Sequence, residues 1–149
     1  MKRNINVGIL TNKNDFLLKF LIQKISNIRN IKIYLFFAEN KNKKKDLKIF
    51  KERTGSYFFN KKINLKNSIE PKKFYFKSHN SLKFFNFIKK NKIQYILNSY
   101  TPNKINNKII KSTKGIINFH PAILPNYRGC TTVEWTLLNK DPLGITAHL

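Results

Sequence analysis

The chain has 149 residues, a length that fits one domain and leaves no room for two independent cores. Hydrophobic residues make up 41% of it and aromatic residues 13%, which excludes a disordered chain because this much apolar surface offsets the entropy lost on folding. The net charge of +23, from 30 Lys and Arg against 7 Asp and Glu, by itself indicates an anionic partner such as nucleic acid.

Two features of the charge weaken that indication. Lysine outnumbers arginine 26 to 4, beside 21 Asn and 20 Ile. This is typical of A/T-rich coding bias, whereas phosphate recognition favours the planar arginine fork. Residues 115–149 carry no net charge, because Arg128 and Lys140 balance Glu134 and Asp141. We therefore expect a solvated lysine-rich surface rather than a nucleic-acid footprint.

Cysteine usage and hydropathy predict the compartment. Cys130 is the single cysteine, so no intrachain disulfide can form, which favours a reducing environment. The apolar stretch near the N-terminus, 5–10, is too short for a signal peptide, and the run 33–38 is far too short to span a membrane. We expect a soluble cytoplasmic protein with no membrane partner; its oligomeric state stays open.

The first half of the chain predicts two strands around a helix. Ile5, Val7 and Ile9 alternate as in a strand. A helix follows, with apolar residues spaced i, i+3, i+4, i+7 from Leu18 and with Asn14 or Asp15 as its cap. Residues 31–38 are almost continuously apolar, as in a strand buried on both faces. A weak helix is expected around Leu47 and Phe50, and one or two short strands at most within 55–78.

The second half continues the alternation of helix and strand. Ser81 can cap a helix that begins at Leu82, and 94–97 and 115–119 are predicted strands. Between those strands, Thr101 is expected to cap a helix with Pro102 in its first position. The alternation predicts an α/β fold, an open and mostly parallel sheet flanked by helices. Ligands of such sheets bind beyond the carboxyl ends of the strands, which points to 11–15, 98–101 and the segment from 118 onward.

The segment 118–129 carries the residues best suited to chemistry. It reads Asn-Phe-His-Pro-Ala-Ile-Leu-Pro-Asn-Tyr-Arg-Gly. Asn118 and His120 are two positions apart, so both point to one face at the strand end. An amide beside an imidazole can hold a carbonyl oxygen and exchange a proton. No glycine-rich dinucleotide or phosphate loop follows the first strand, which excludes the common nucleotide-binding enzymes.

The pattern Asn-x-His-Pro-x-x-Leu-Pro-x-Tyr-Arg-Gly, followed by Trp135 and Gly-Ile-Thr-Ala-His over 144–148, resembles the formyltransferase family that uses 10-formyltetrahydrofolate. The family includes methionyl-tRNA and glycinamide ribonucleotide formyltransferases and the N-formyltransferases of nucleotide-linked amino sugars. The resemblance is specific over 115–149 and extends to 93–114, where Tyr95–Tyr100 is similar to the strand and loop beside the folate pocket. Over 1–92 only the order of strands and helices agrees.

The resemblance implies a Rossmann-like formyltransferase fold and a set of site residues. An acceptor amine would attack the formyl carbon, and Asn118 and His120 match the family's catalytic Asn and His, which stabilise the oxygen that becomes negative. The residues implied in folate binding are Asn98, Tyr100, Pro121, Leu124 and His148, and those implied in acceptor binding are Arg128 and Gly129. No metal is implied. Trp135 is expected in the core and Cys130 as a small buried residue.

The family's third catalytic residue, an Asp that supports the His, would come shortly after His148, and the sequence stops at Leu149. We therefore expect residues 1–149 to be one formyltransferase-like domain, truncated at its C-terminal end rather than degraded, with 145–149 poorly anchored. Alone it should show no measurable formyl transfer. Asp141 is not a substitute, because it precedes the 144–148 segment.

The acceptor is expected to be a small amine, such as a nucleotide-linked amino sugar or glycinamide ribonucleotide. At the position of Arg128 and Gly129, methionyl-tRNA formyltransferases have a pattern similar to Arg-Gly-x-Ala-Pro-Ile. The Ala-Pro of that pattern is missing after Gly129 in this sequence. Two alternatives stay open. One is a formyltetrahydrofolate deformylase; the other is a basic RNA-binding module without chemistry, supported by the +23 charge.

Overall fold

Six strands form one sheet in the computed structural model, which describes residues 4–12, 15, 18–38, 48–49, 52, 71–99, 101, 103–129 and 131–149. The strands are β1 (Ile5–Thr11), β2 (Ile31–Ala38), β3 (Lys72–Phe76), β4 (Tyr95–Asn98), β5 (Gly115–His120) and β6 (Thr146–His148). Their order is β3-β2-β1-β4-β5-β6. The first five are parallel, and β6 pairs antiparallel with β5.

Four helices accompany the sheet within the described part of the chain: α1 (Leu18–Ser26), α2 (Leu82–Lys90), α3 (Asn107–Ile110) and α4 (Thr132–Leu138). Successive strand residues point to opposite faces, so the buried strands build two cores. On one face Ile9 and Leu35 pack with Ile22 and Ile25 of α1. The other face carries the larger core beneath α2 and α3, which contains Leu10, Tyr34, Phe36, Phe76, Phe84, Ile88, Ile93, Ile96 and Ile109.

Aromatic rings fill the larger core. Phe36 is fully buried, and its ring centroid lies 5.0 Å from that of Phe84 and 5.6 Å from that of Phe87. Gly8 on β1 is required by this packing, because a Cβ there would lie 2.3 Å from the Phe36 ring. The lone glycine of the first strand therefore serves close packing of the sheet.

A buried histidine closes the same core at the carboxyl end of β3. His79 is 4% exposed, its Nε2 donates to the carbonyl oxygen of Phe36 over 2.9 Å, and its ring centroid lies 5.5 Å from that of Phe84. Nδ1 is buried without a partner among the described residues. Burial lowers the pKa of His79 from 6.5 to about 4, because the charged ring would lose its hydration. His79 is therefore neutral at pH 7.

Most of the predicted elements are confirmed, including the mostly parallel sheet and the capping of α2, where the Ser81 hydroxyl accepts from the amide of Phe84. β3 confirms one short strand within 55–78, whereas 53–70 lie outside the described residues. Asn14, Leu47, Phe50 and Pro102 also lie outside them.

The predicted start of the helix after Thr101 is wrong. α3 begins at Asn107, and Asn106 is its cap, because its Oδ1 accepts from the amide of Ile109. The Asn80 side chain holds the preceding segment out of the helix. It donates to the carbonyl of Lys104 and accepts from the amide of Asn106, both over 2.9 Å. This tertiary contact overrides the local preference of Thr-Pro for a helix start.

The expected place of Trp135 in the core is also wrong. Its side chain is 55% exposed on α4, where Thr132 and Thr136 are the buried residues. Other large apolar side chains from 119 to 149 are exposed as well: Phe119, Ile123, Val133, Leu137, Leu138, Leu143, Ile145 and Leu149. The segment 145–149 is nevertheless tied to the sheet through the pairing of β6 with β5.

Candidate active site

Three polar side chains lie in a row at the carboxyl end of the sheet, one on each of three neighbouring strands. Asn98 at the end of β4 is in register with Asn118 on β5. His148 on β6 lies opposite Asn118 in the antiparallel pair. His120, two residues beyond Asn118, points to the same face. The register of three strands thus brings together residues that are 20 and 30 positions apart.

A hydrogen-bonded chain connects this row. Asn98 Nδ2 donates to Asn118 Oδ1 over 2.8 Å, and Asn118 Nδ2 donates to His148 Nε2 over 3.1 Å. An amide nitrogen only donates, so Nε2 of His148 must be an acceptor and the neutral ring carries its proton on Nδ1. Asn98 Oδ1 is buried and has no partner among the described residues. Both ends of the Asn118 amide are therefore fixed.

His120 is held by the loop that follows it. Its Nε2 donates to the backbone carbonyl of Tyr127 over 2.8 Å. A carbonyl oxygen only accepts, so Nε2 carries a proton and the neutral ring presents the lone pair of Nδ1. This ring can accept a proton at Nδ1 and then carry positive charge. It is the group of the site that can act in acid–base chemistry next to the Asn118 amide.

Tyr127 anchors the loop through its side chain as well. Its hydroxyl donates to Asp141 and accepts from Asn139 Nδ2 over 2.9 Å. The bond to Asp141 raises the pKa of Tyr127, because the carboxylate accepts the phenol proton and repels a phenolate. Asp141 thus contacts Tyr127 in this structure. Sequence reasoning gave Tyr127 no role, although the residue stands in the motif.

Thr146 on β6 ties the same loop to the sheet. Its hydroxyl accepts from the amide of Leu124 over 3.0 Å and donates to the carbonyl of Ala122 over 2.7 Å. The expected folate residues Pro121 and Leu124 lie in this loop, Pro121 exposed and Leu124 half-buried. The Thr146 hydroxyl therefore bonds the turn beyond His120 at two points. Thr146 had no expected role, although it stands in the 144–148 segment.

The expected acceptor residues lie farther along the loop. Arg128 and Gly129 are both exposed, and Gly129 has a φ of +88° with open space around it. This backbone conformation favours glycine. Tyr100 and Cys130 lie outside the described residues, so their expected roles stay predictions.

A carboxylate lies at the neighbouring crevice between β1 and β4, where the strand order reverses. Asp15 Oδ2 accepts from the hydroxyl of Thr11 over 2.7 Å and from that of Ser99 over 2.6 Å. The sequence had indicated both segments as ligand-facing, and the contact between them appears only in the fold. Such switch points of parallel sheets are the usual places for ligands.

Over the described ranges, no three His, Cys, Asp or Glu side chains lie close enough together to hold a metal ion. None of the helices in the same part of the chain is both long and apolar enough to cross a bilayer.

Comparison with known proteins finds similarity both in sequence and in structure. No protein-family model matches the chain. The bifunctional polymyxin resistance protein ArnA of Wigglesworthia glossinidia brevipalpis is 37% identical over 90 residues, which cover 59% of this chain and 14% of that protein. The phosphoribosylglycinamide formyltransferase of Brucella melitensis matches with a TM-score of 0.66 at 20% identity, over 99% of this chain and 73% of that one. The chain is thus similar in sequence to part of ArnA, and it shares its fold with a phosphoribosylglycinamide formyltransferase.

The structural matches confirm the fold expected from the sequence. A formyltetrahydrofolate deformylase from Pseudomonas putida KT2440 shares that fold, with a TM-score of 0.55 and 17% identity over 98% of this chain and 49% of that one. The matched segment spans only 14% of the length of the Wigglesworthia protein.

Proposed function

We propose that this chain carries the site of an amine N-formyltransferase that uses 10-formyltetrahydrofolate as formyl donor. The observation that carries the proposal is the pair formed by Asn118 and His120 on one face at the end of β5, with the Asn118 amide held between Asn98 and His148. A formyl group transferred to an amine passes through a state with negative charge on oxygen. Fixed hydrogen-bond donors aimed at that oxygen are the usual means of stabilising it.

The donor set fits this chemistry. The folate supplies an electrophilic formyl carbon when it is bound. Asn118 Nδ2 has two hydrogens, of which one is directed to His148, so the second can be donated to the formyl oxygen. The Asn118 amide is already oriented, and little reorganisation is needed as charge develops on that oxygen.

His120 is proposed to handle the proton. As the new C–N bond forms, the attacking amine must lose a proton, and the nitrogen of the leaving folate must gain one. Nδ1 of His120 can accept a proton while Nε2 stays bound to Tyr127. The protonated ring also stabilises the nearby negative oxygen. The resemblance assigns an aspartate beyond His148 to the support of this ring, and we propose that residues 1–149 alone turn over too slowly to measure.

The remaining roles are those that the sequence resemblance implies. We propose that Tyr100, Pro121, Leu124 and His148 line the folate pocket. Arg128 and Gly129, exposed farther along the loop, are proposed to face the acceptor. The missing Ala-Pro after Gly129 favours a small amine, such as a nucleotide-linked amino sugar or glycinamide ribonucleotide, over methionyl-tRNA.

The test supplies 10-formyltetrahydrofolate with each acceptor in turn to two proteins. One is the 149-residue chain; the other, the extended chain, carries additional C-terminal residues that provide the family's aspartate after His148. We expect transfer to a small amine by the extended chain and none above background by residues 1–149. Formylation of initiator tRNA alone would contradict the proposed acceptor class, and equal rates in the two proteins would contradict the role given to the aspartate.

Hydrolysis of the same folate is the second candidate, favoured by the fold shared with the Pseudomonas putida deformylase. Water would then take the place of the amine, and the same Asn118 and His120 would act on it. Release of formate without any acceptor amine, at a rate that added amine does not change, would favour hydrolysis over transfer.

A binding module for RNA is the third candidate, and the charge distribution supports it. All lysines of the described segments from 71 to 114 are exposed: Lys72, Lys73, Lys77, Lys83, Lys89, Lys90, Lys92, Lys104, Lys108, Lys111 and Lys114. Electrostatic binding weakens steeply with salt as counterions are released. Affinity for RNA that persists at physiological salt would favour this candidate. Loss of RNA binding at physiological salt would show that the positive charge of the surface does not serve RNA binding.

A further inference from the structure

We propose that Asn98 is a positioning residue that fixes the direction of the Asn118 amide, instead of serving chiefly as a folate contact. The proposal rests on the formyl-transfer function proposed above and adds a residue to it. Asn98 Nδ2 donates to Asn118 Oδ1 over 2.8 Å, so Nδ2 of Asn98 is occupied before any ligand enters. The two residues are held together by the register of β4 with β5, not by a flexible loop.

The polarity of the hydrogen-bonded chain is the central point. An asparagine side chain can present its oxygen or its nitrogen in either of two directions by rotating half a turn. While Asn98 donates, Asn118 must keep its oxygen toward β4 and its nitrogen toward β6. His148 Nε2 then accepts the hydrogen bond from Asn118 Nδ2 over 3.1 Å, at the end of the hydrogen-bonded row. One donor at Asn98 thus determines which end of the Asn118 amide faces the reacting group.

The opposite polarity would be unproductive. If the side-chain amide of Asn118 rotated by half a turn, its oxygen would face β6, and His148 would have to donate from Nε2. The amide nitrogen would then point toward Asn98 and away from the place where charge develops. A carbonyl oxygen in the productive position would repel the negative oxygen of the reacting formyl group. The reaction therefore depends on a residue that need not touch the folate.

The tautomer of His148 reports this polarity without any ligand. The chain has only 3 histidines, so ¹⁵N NMR of the imidazoles, recorded above about pH 8 where imidazoles are neutral, resolves each ring. We expect Nε2 of His148 to be the unprotonated nitrogen in the 149-residue chain. In Asn98→Asp the new carboxylate only accepts, so Asn118 must turn its nitrogen toward it, and the proton of His148 should move to Nε2.

Asn91→Asp is the matched control. Asn91 is also a half-buried asparagine, and its Nδ2 donates to the carbonyl of Phe87 over 2.9 Å, at the C-terminal end of α2 and the opposite edge of the sheet. This variant makes the same change in atoms and charge, and it should leave the His148 tautomer unchanged.

Two results would overturn the proposal. One is a proton on Nε2 of His148 in the unchanged chain, a reading that does not depend on any variant folding. The other is a folded Asn98→Asp variant with the original tautomer. In the extended chain we further expect Asn98→Asp to lower kcat about 100-fold, as does loss of an oxyanion donor, with KM for the folate little changed. A raised KM with unchanged kcat would make Asn98 a folate contact. Absence of transfer by the unchanged extended chain would refute the proposed function while leaving the tautomer result to decide the positioning of Asn118.

Discussion

Acid should destabilise this protein through the buried His79, and the size of the effect follows from its environment. The pKa of His79 falls from 6.5 in the unfolded chain to about 4 in the folded one. Between pH 6.5 and pH 4 the unfolded state binds the proton more readily than the folded state. The contribution of neutral His79 to the free energy of unfolding is therefore fully present above pH 6.5 and is lost as the pH falls toward 4. Integration of the linkage relation gives a loss of about 2 kcal/mol at pH 5 and about 3 kcal/mol at pH 4.

The physical cause lies at Nδ1 of the His79 ring. Nε2 already donates to the carbonyl of Phe36, and Nδ1 is buried without a partner among the described residues. Protonation would place a hydrogen and a charge at this nitrogen, for which the described residues offer no acceptor, beside the ring of Phe84. The folded state therefore resists protonation.

Urea unfolding followed by far-UV circular dichroism at pH 8, 5 and 4 measures the loss. His79→Gln is the comparison, because its side chain can still donate to Phe36 but does not titrate. The free energy of unfolding of the parent should fall by about 2 kcal/mol more than that of the variant between pH 8 and pH 5. Equal losses in both proteins would refute the reasoning and assign the acid sensitivity to other groups.

Two further predictions concern the packing of β1 and the loop after β5. Gly8→Ala should lower the free energy of unfolding by about 1–3 kcal/mol in urea titration, because its Cβ would lie 2.3 Å from the buried Phe36 ring; an unchanged midpoint would show that the ring moves freely. Asp141→Asn should lower the pKa of Tyr127, which the carboxylate now raises, and Asn139→Ala should raise it further. ¹³C NMR of the tyrosine rings during an alkaline titration, with the Tyr127 signal assigned from Tyr127→Phe, measures both changes. A shift of the Tyr127 pKa in the same direction in both variants would contradict the hydrogen bonds described for Tyr127.

Much of the fold could be predicted from residue spacing alone. Alternation in β1, the continuous apolar run of β2 and the Ser81 cap of α2 are local signals, and all three are confirmed. That Asn118 and His120 share one face of the strand is also a local signal, because it depends only on the two-residue period of a strand.

The rest depends on contacts between distant segments. Asn98, Asn118 and His148 meet only because three strands pair in a particular register, which no single segment encodes. The start of α3 was mispredicted because Asn80, more than 20 residues earlier, determines it. Trp135 has a large apolar side chain of the kind that is usually buried, yet the buried residues of α4 are Thr132 and Thr136.

Steady-state formyl transfer by the extended chain, compared with its Asn118→Ala and His120→Ala variants, tests the central claim most directly. Both residues are assigned to charge and proton movements that arise only in the transition state. Each substitution should therefore lower kcat by about 100-fold or more while KM for 10-formyltetrahydrofolate stays within about threefold. Unchanged kcat in either variant, or a loss confined to KM, would contradict the assignment of that residue to the reaction.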